Sequence, residues 1–95
     1  MACYVYIMTD RPNGTLYVGV TNDLLRRVQE HRTHQVAGFT ARYNLTRLVH
    51  YETHETAPLA IQREKALKRW SRAWKVALIE QDNPDWRGLF DEIAS

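Results

Sequence analysis

The stretch from Cys3 to Thr21 reads CYVYIMTDRPNGTLYVGVT. Residues 3–9 and 15–21 are rich in aromatic and β-branched types, which strands favour. Between them, Asp10-Arg11-Pro12-Asn13-Gly14 is a turn cluster whose Asn-Gly pair is its strongest element. Two such runs about one turn predict a β-hairpin. Side chains alternate faces along a strand. Leu16, Val18 and Val20 therefore share one face of the second run, and Tyr17, Gly19 and Thr21 the other. In the first run Val5 and Ile7 oppose Tyr4, Tyr6 and Met8. With both aliphatic sets turned to the core, Tyr6 and Tyr17 lie together on the opposite face, beside the bare backbone of Gly19. Two phenols on such a surface suit a ligand, although the preference of aromatics for strands accounts for them without one.

Outward from the hairpin, Asn22 or Asp23 is placed to cap a helix running to about residue 34. Residues 35–44 read as irregular, with one helical turn around Phe39 to Tyr43, and residues 45–53 as a third strand. Thr56 caps a second helix, with Pro58 in its first turn where a missing N–H costs nothing; it reaches about Arg69. Ser71 caps a third, to about Gln81. Asn83-Pro84 then restarts the chain into a final helix with Trp86, Leu89, Phe90 and Ile93 at i, i+3, i+4, i+7. The expected fold is α+β: a small three-stranded antiparallel sheet flanked by helices. Ninety-five residues suit one domain, residues 1–95, with no room for a second core.

The single cysteine, Cys3, excludes an intramolecular disulfide and any metal-binding cysteine pattern, which fits a reducing, cytoplasmic setting. The N-terminal Met1 to Tyr6 lacks the pattern of a signal peptide. No run approaches the roughly 20 apolar residues of a membrane span. A net charge of +2 tolerates a polyanionic partner without announcing one.

Three polar residues stand in unexpected places. Arg27 and His31, one turn apart, flank the apolar side of the first helix marked by Leu24, Leu25 and Val28, with Arg32 at its edge. They either point into a cleft or are solvated. On the second helix, taking Ala60 as zero, Ala57, Ile61 and Leu67 fall at about 60°, 100° and 340°, and Glu64 at about 40°, within the apolar arc. A carboxylate there needs a partner, either a structural Arg or Lys or a hard divalent cation. Arg63, Lys65, Lys68, Arg69, Arg72 and Lys75 read as a solvated surface that also assists with phosphates. The histidine spacings argue against a zinc site.

Tyr4-Val5-Tyr6, Tyr17-Val18-Gly19, Arg27 and His31 on the next helix and Glu64 on a later one together resemble the GIY-YIG nuclease family. The likeness is closest to its small stand-alone members, in which Arg26-Arg27-x₃-His31, Arg63-Glu64-Lys65, Phe39-Thr40-x₂-Tyr43-Asn44 and Asn83-Pro84-x-Trp86 also look familiar. Tyr4-Val5 replaces Gly-Ile in the first motif and Val18 replaces Ile in the second; neither change removes a reactive group.

The resemblance implies a metal-dependent endonuclease with Tyr6, Tyr17, Arg27, His31 and Glu64 as catalytic residues. Glu64 is then the ligand of one Mg²⁺ or Mn²⁺ ion, a Lewis acid for the leaving 3′ oxygen. Arg27 offers a planar fork to the non-bridging oxygens. Tyr17 orients or deprotonates the attacking water, which for a phenol of reference pKa about 10 requires a nearby metal or Arg27. His31 relays the proton, and Tyr6 positions water or phosphate. Gly19 and Asn83 are supporting candidates, although helix capping before Pro84 also explains Asn83. The expected partner is nucleic acid, DNA in the first instance. Family members often carry a separate DNA-binding domain that this sequence lacks, so a protein partner supplying specificity belongs to the expectation. The alternatives are an inactive DNA- or RNA-binding module of the same fold, or a protein-interaction adaptor. Glu64 favours the enzyme, because a carboxylate repels phosphate unless a cation lies between them.

Overall fold

A computed structural model of the chain describes residues 2–95; Met1, part of the N-terminal reading above, lies outside them. Three strands, β1 (Cys3–Thr9), β2 (Leu16–Thr21) and β3 (Arg47–His54), form an antiparallel sheet in the order β2-β1-β3. Five helices complete the fold: α1 (Leu24–Arg32), α2 (Phe39–Arg42), α3 (Ala57–Arg69), α4 (Arg72–Asp82) and α5 (Phe90–Ala94). The predicted α+β architecture is thus present, and no helix among the described residues is long and apolar enough to cross a membrane.

Each face of the sheet buries its own core. Val5, Ile7 and Val18 pack with Ala60 and Leu67 of α3, Ile79 of α4, and Trp86. On the other face Tyr6 and Met8 pack with Leu24 and Val28 of α1 and with Leu45, Leu48 and Leu89. Each fully buried aliphatic side chain contributes roughly 1.5–3 kcal/mol, so two cores on one small sheet hold both helical layers in place. Helix starts follow the sequence: the side chains of Asp23, Thr56 and Ser71 accept hydrogen bonds from the backbone N–H of Arg26, Leu59 and Trp74.

Two expectations need correction. The final helix does not begin after Pro84. Trp86 adopts a left-handed backbone (φ 57°) and is buried against the aliphatic face, whereas Leu89, Phe90 and Ile93 pack on the opposite one. The segment is held open by Asn83, whose side chain donates to the carbonyls of Val49 and Arg87 and accepts from the Arg87 N–H. Asn83 therefore closes α4 rather than starting a helix. Second, α1 ends at Arg32 rather than near residue 34, and Leu25 is exposed rather than part of its buried side. The expected third strand, β3, also carries a bulge: Ile7 pairs with His50 but Met8 with Leu48, leaving Val49 as the extra residue. The bulge lets Leu48 join the tyrosine-side core while Val49 joins the aliphatic one.

Candidate active site

Tyr6 on the central strand stands opposite Gly19 on the edge strand β2. A Cβ on Gly19 would lie 2.5 Å from both Cζ and Oη of Tyr6, so the missing side chain is what lets the ring lie across β2. The Tyr6 hydroxyl shares a 3.0 Å hydrogen bond with His31 Nε2, and His31 Nδ1 shares one of 3.2 Å with Thr40 Oγ1. Tyr6 and His31 are each 2% exposed. A neutral imidazole has one N–H, so it donates one of these bonds and accepts the other. The Tyr17 ring completes the group, its centroid 6.4 Å from Tyr6 and 5.7 Å from His31.

Burial, with Tyr17 next in importance, pushes the Tyr6 phenol well above its ordinary pKa, against the pull of Arg27; it stays protonated at neutral pH. Burial, seconded by Arg27, pushes the His31 imidazole below its ordinary value and keeps it neutral. Arg27 lies one helical turn before His31 with its side chain 41% exposed. Its Nε is 3.8 Å from Glu30, a loose pair, while Arg26 sits closer to the same carboxylate at 3.2 Å.

Glu64 comes from α3, which packs on the aliphatic face. The apolar arc of that helix is turned from its expected position: Ala60 and Leu67 are fully buried, but Ala57 and Ile61 are exposed. Glu64 is thereby a border residue, its side chain 13% exposed and 2.8 Å from Lys68 one turn on. This is the structural partner weighed above as the competing explanation. The Glu64 charge still reaches Tyr6, whose proton it helps retain, and Tyr17 acts likewise on Lys68. Residues of both faces thus influence one another about β2.

Sequence reasoning missed Thr40 and Lys68. Thr40 lies within a quoted motif but was given no role, and Lys68 was counted among the solvated cations although its one-turn spacing from Glu64 signalled a pair. Asn83, in contrast, bonds to the β3 backbone and to none of the five clustered residues.

The donor set bears on metal binding. Among the described residues no three His, Cys, Asp or Glu side chains stand together as a cation cage. Magnesium does not need one, since it keeps several waters and is bound through one or two carboxylates plus substrate phosphate. Glu64, with Lys68 against Oε2, fits that pattern as a single protein ligand.

A family model described as the GIY-YIG catalytic domain matches residues 2–77, and the chain belongs to that family. It is 37% identical over 78 residues to a UPF0213 protein of Haloquadratum walsbyi, covering 82% of this chain and 86% of that one. A UPF0213 protein of Syntrophus aciditrophicus is 37% identical over 83 residues, or 86% and 93% of the two chains. The solution NMR structure of a UPF0213 protein from Bacillus halodurans aligns with a TM-score of 0.55 at 30% identity, covering 87% of each chain. The family is one of nucleases acting on nucleic acid.

Proposed function

We propose that this protein is a metal-dependent endonuclease that hydrolyses nucleic-acid phosphodiester bonds, with Tyr6, Tyr17, Arg27, His31 and Glu64 as its working residues. The observation that carries the reading is the hydrogen-bonded run Tyr6–His31–Thr40 beside Tyr17, within the electrostatic reach of both Arg27 and Glu64. Besides the Tyr6 and Thr40 hydroxyls that satisfy its nitrogens, His31 meets the Tyr17 ring and feels the Arg27 charge.

Glu64 would hold the divalent ion, Mg²⁺ or Mn²⁺, which when bound supplies Lewis-acid stabilisation of the leaving 3′ oxygen. The remaining work falls to the chain's own groups. Arg27, half-exposed and only loosely paired, offers its fork to the non-bridging oxygens, where charge grows in the transition state. Tyr17 is the less buried of the two phenols and orients the attacking water. Tyr6 is a protonated, immobile donor that positions water or phosphate. His31 has both ring nitrogens engaged, so it acts by fixing the Tyr6 hydroxyl. Gly19 supports the arrangement through the space it leaves for Tyr6.

One observation favours a second reading. Lys68, 2.8 Å from Glu64, can neutralise the carboxylate without a metal ion, leaving a DNA- or RNA-binding module that does not cut. A cleavage assay with and without Mg²⁺ or Mn²⁺, on single-stranded, branched and duplex DNA and RNA, separates the two. The enzyme cuts only with metal; the binding module retains substrate intact under every condition.

A further inference from the structure

Beyond the clustered residues, a row of aromatic rings runs outward from Tyr17. The Phe39 ring lies 6.5 Å from Tyr17 and within 28° of parallel to it, and Tyr43 follows 4.7 Å from Phe39. Phe39 and Tyr43 are 47% and 45% exposed, so neither core uses them fully. The Arg42 guanidinium stands over the Tyr43 ring, 5.6 Å from its centre.

The segment carrying these rings, α2 and the Tyr43 that follows it, is tied to the site. Thr40, between them, bonds to His31, and the Leu45 N–H returns to the Thr40 carbonyl. His34 and Asn44 join the two ends of the segment at 2.9 Å, and both take left-handed backbones, with φ 58° and 56°. Gly38 enters α2 at φ 94°, a conformation that L side chains rarely adopt. The rings are thus held at a fixed offset from Tyr17 rather than left on a loose loop.

We infer that Phe39 and Tyr43 form a base-stacking subsite that receives an unpaired nucleobase of the bound strand, next to the phosphate held at Arg27. This rests on the proposed reading of the cluster as a nucleic-acid site. Exposed aromatic faces bind any base through its π-face, and neighbouring arginines hold the backbone. Arg42, over the Tyr43 ring, gives the surface a positive charge suited to a polyanion. A base paired within a regular duplex keeps its faces stacked on its neighbours and cannot enter. The subsite therefore selects single strands, flaps and locally unpaired junctions over continuous duplex.

The test uses the full chain in EDTA, so that binding is read without cleavage. The probes are a single-stranded DNA decamer carrying one 2-aminopurine, the same decamer with an abasic residue there, and the fully paired duplex. Stacking predicts a change in 2-aminopurine fluorescence on binding and affinity about tenfold weaker for the abasic strand. Phe39→Leu with Tyr43→Leu should remove both effects and weaken single-strand binding about tenfold, with duplex binding unchanged. Phe39→Trp should retain them. Equal affinity of the parent for the intact and abasic strands overturns the subsite, as does a double variant that binds like the parent. It also falls if the double variant abolishes self-association while the base effect persists, since the rings would then serve a second copy. Cleavage by the double variant with unaltered strand preference removes the subsite and leaves the nuclease standing; base-dependent binding without metal-dependent cleavage does the reverse. A parent that binds no nucleic acid removes both.

Discussion

The Tyr6 hydroxyl occupies the space that a side chain on Gly19 would need, with an added Cβ 2.5 Å from Oη and equally close to Cζ. Tyr6 cannot yield easily, because its ring is buried and its hydroxyl is bonded to His31. Gly19→Ala should therefore cost about 1–3 kcal/mol of stability, as overpacking does, and displace the phenol from His31. Urea unfolding reads the cost. Combined with Tyr6→Ala, the substitution should cost much less than the sum of the two alone, since the clash is gone. Additive losses would mean that the two residues do not share this space.

The buried imidazole of His31 should titrate below its ordinary value of 6.5. Between the folded and unfolded pKa the unfolded chain binds more protons, so this group's contribution to stability falls as pH drops below about 6.5. Imidazole NMR reads the midpoint directly. Thr40→Val, which removes the partner of Nδ1, should cost roughly 1–3 kcal/mol by leaving a buried polar atom unpaired. An ordinary midpoint, or a Thr40→Val protein as stable as the parent, would contradict the buried, doubly bonded histidine.

A separate polar network ties β3 to α3 and sets the acid limb. Burial alone would raise the Glu52 carboxyl, but hydrogen bonds from His50 and from Arg63 more than offset it and hold the pKa at about 2. With an ordinary value of 4.5, this stabilisation is complete above that pH and is lost as pH falls from there toward about 2. Glu52→Gln should cost about 2 kcal/mol at neutral pH and flatten the stability profile over that window. Acid unfolding curves check it; parallel acid limbs for parent and variant would show that Glu52 is not the group involved.

The hairpin and the tyrosine face were legible because strand alternation is local: Tyr6, Tyr17 and Gly19 follow from counting by twos. Helical spacing singled out Arg27 and His31 but left open whether they face a cleft or solvent; His31 is buried against Tyr6, while Arg27 is half-exposed. What escaped depends on contacts distant in the chain. Trp86 fits a helical pattern with Leu89 and Ile93, yet Asn83, fastened to the Val49 carbonyl, holds the chain open there. The Val49 bulge and the outward turn of Ile61 likewise depend on which surface each element meets. Glu64 was rightly singled out as needing a partner, but periodicity alone put it too deep in the apolar arc.

Arg27→Ala should reduce cleavage by orders of magnitude while weakening substrate binding much less, because its fork matters most when charge develops on phosphate. Tyr17→Phe should do the same, keeping the ring's contacts with Tyr6, His31 and Phe39 and losing only the hydroxyl. Single-turnover rates alongside binding isotherms separate the two quantities. A parent-like rate in either variant would withdraw the role assigned to that residue.

Glu64 carries the central claim, since it alone distinguishes a metal-dependent nuclease from a binding surface. The direct measurement is the single-turnover cleavage rate of the parent and of Glu64→Gln across a Mg²⁺ and Mn²⁺ titration, on single-stranded and branched substrates, with thermal unfolding of both proteins alongside. Glu64→Gln removes the more buried end of the Glu64–Lys68 pair but keeps its volume, and the half-exposed Lys68 left behind stays hydrated, so the loss should be about 1 kcal/mol and the variant remains folded. The account predicts metal-dependent, saturable cleavage by the parent and none by the variant. A parent that never cuts, or a variant that cuts with the same metal dependence, would contradict it.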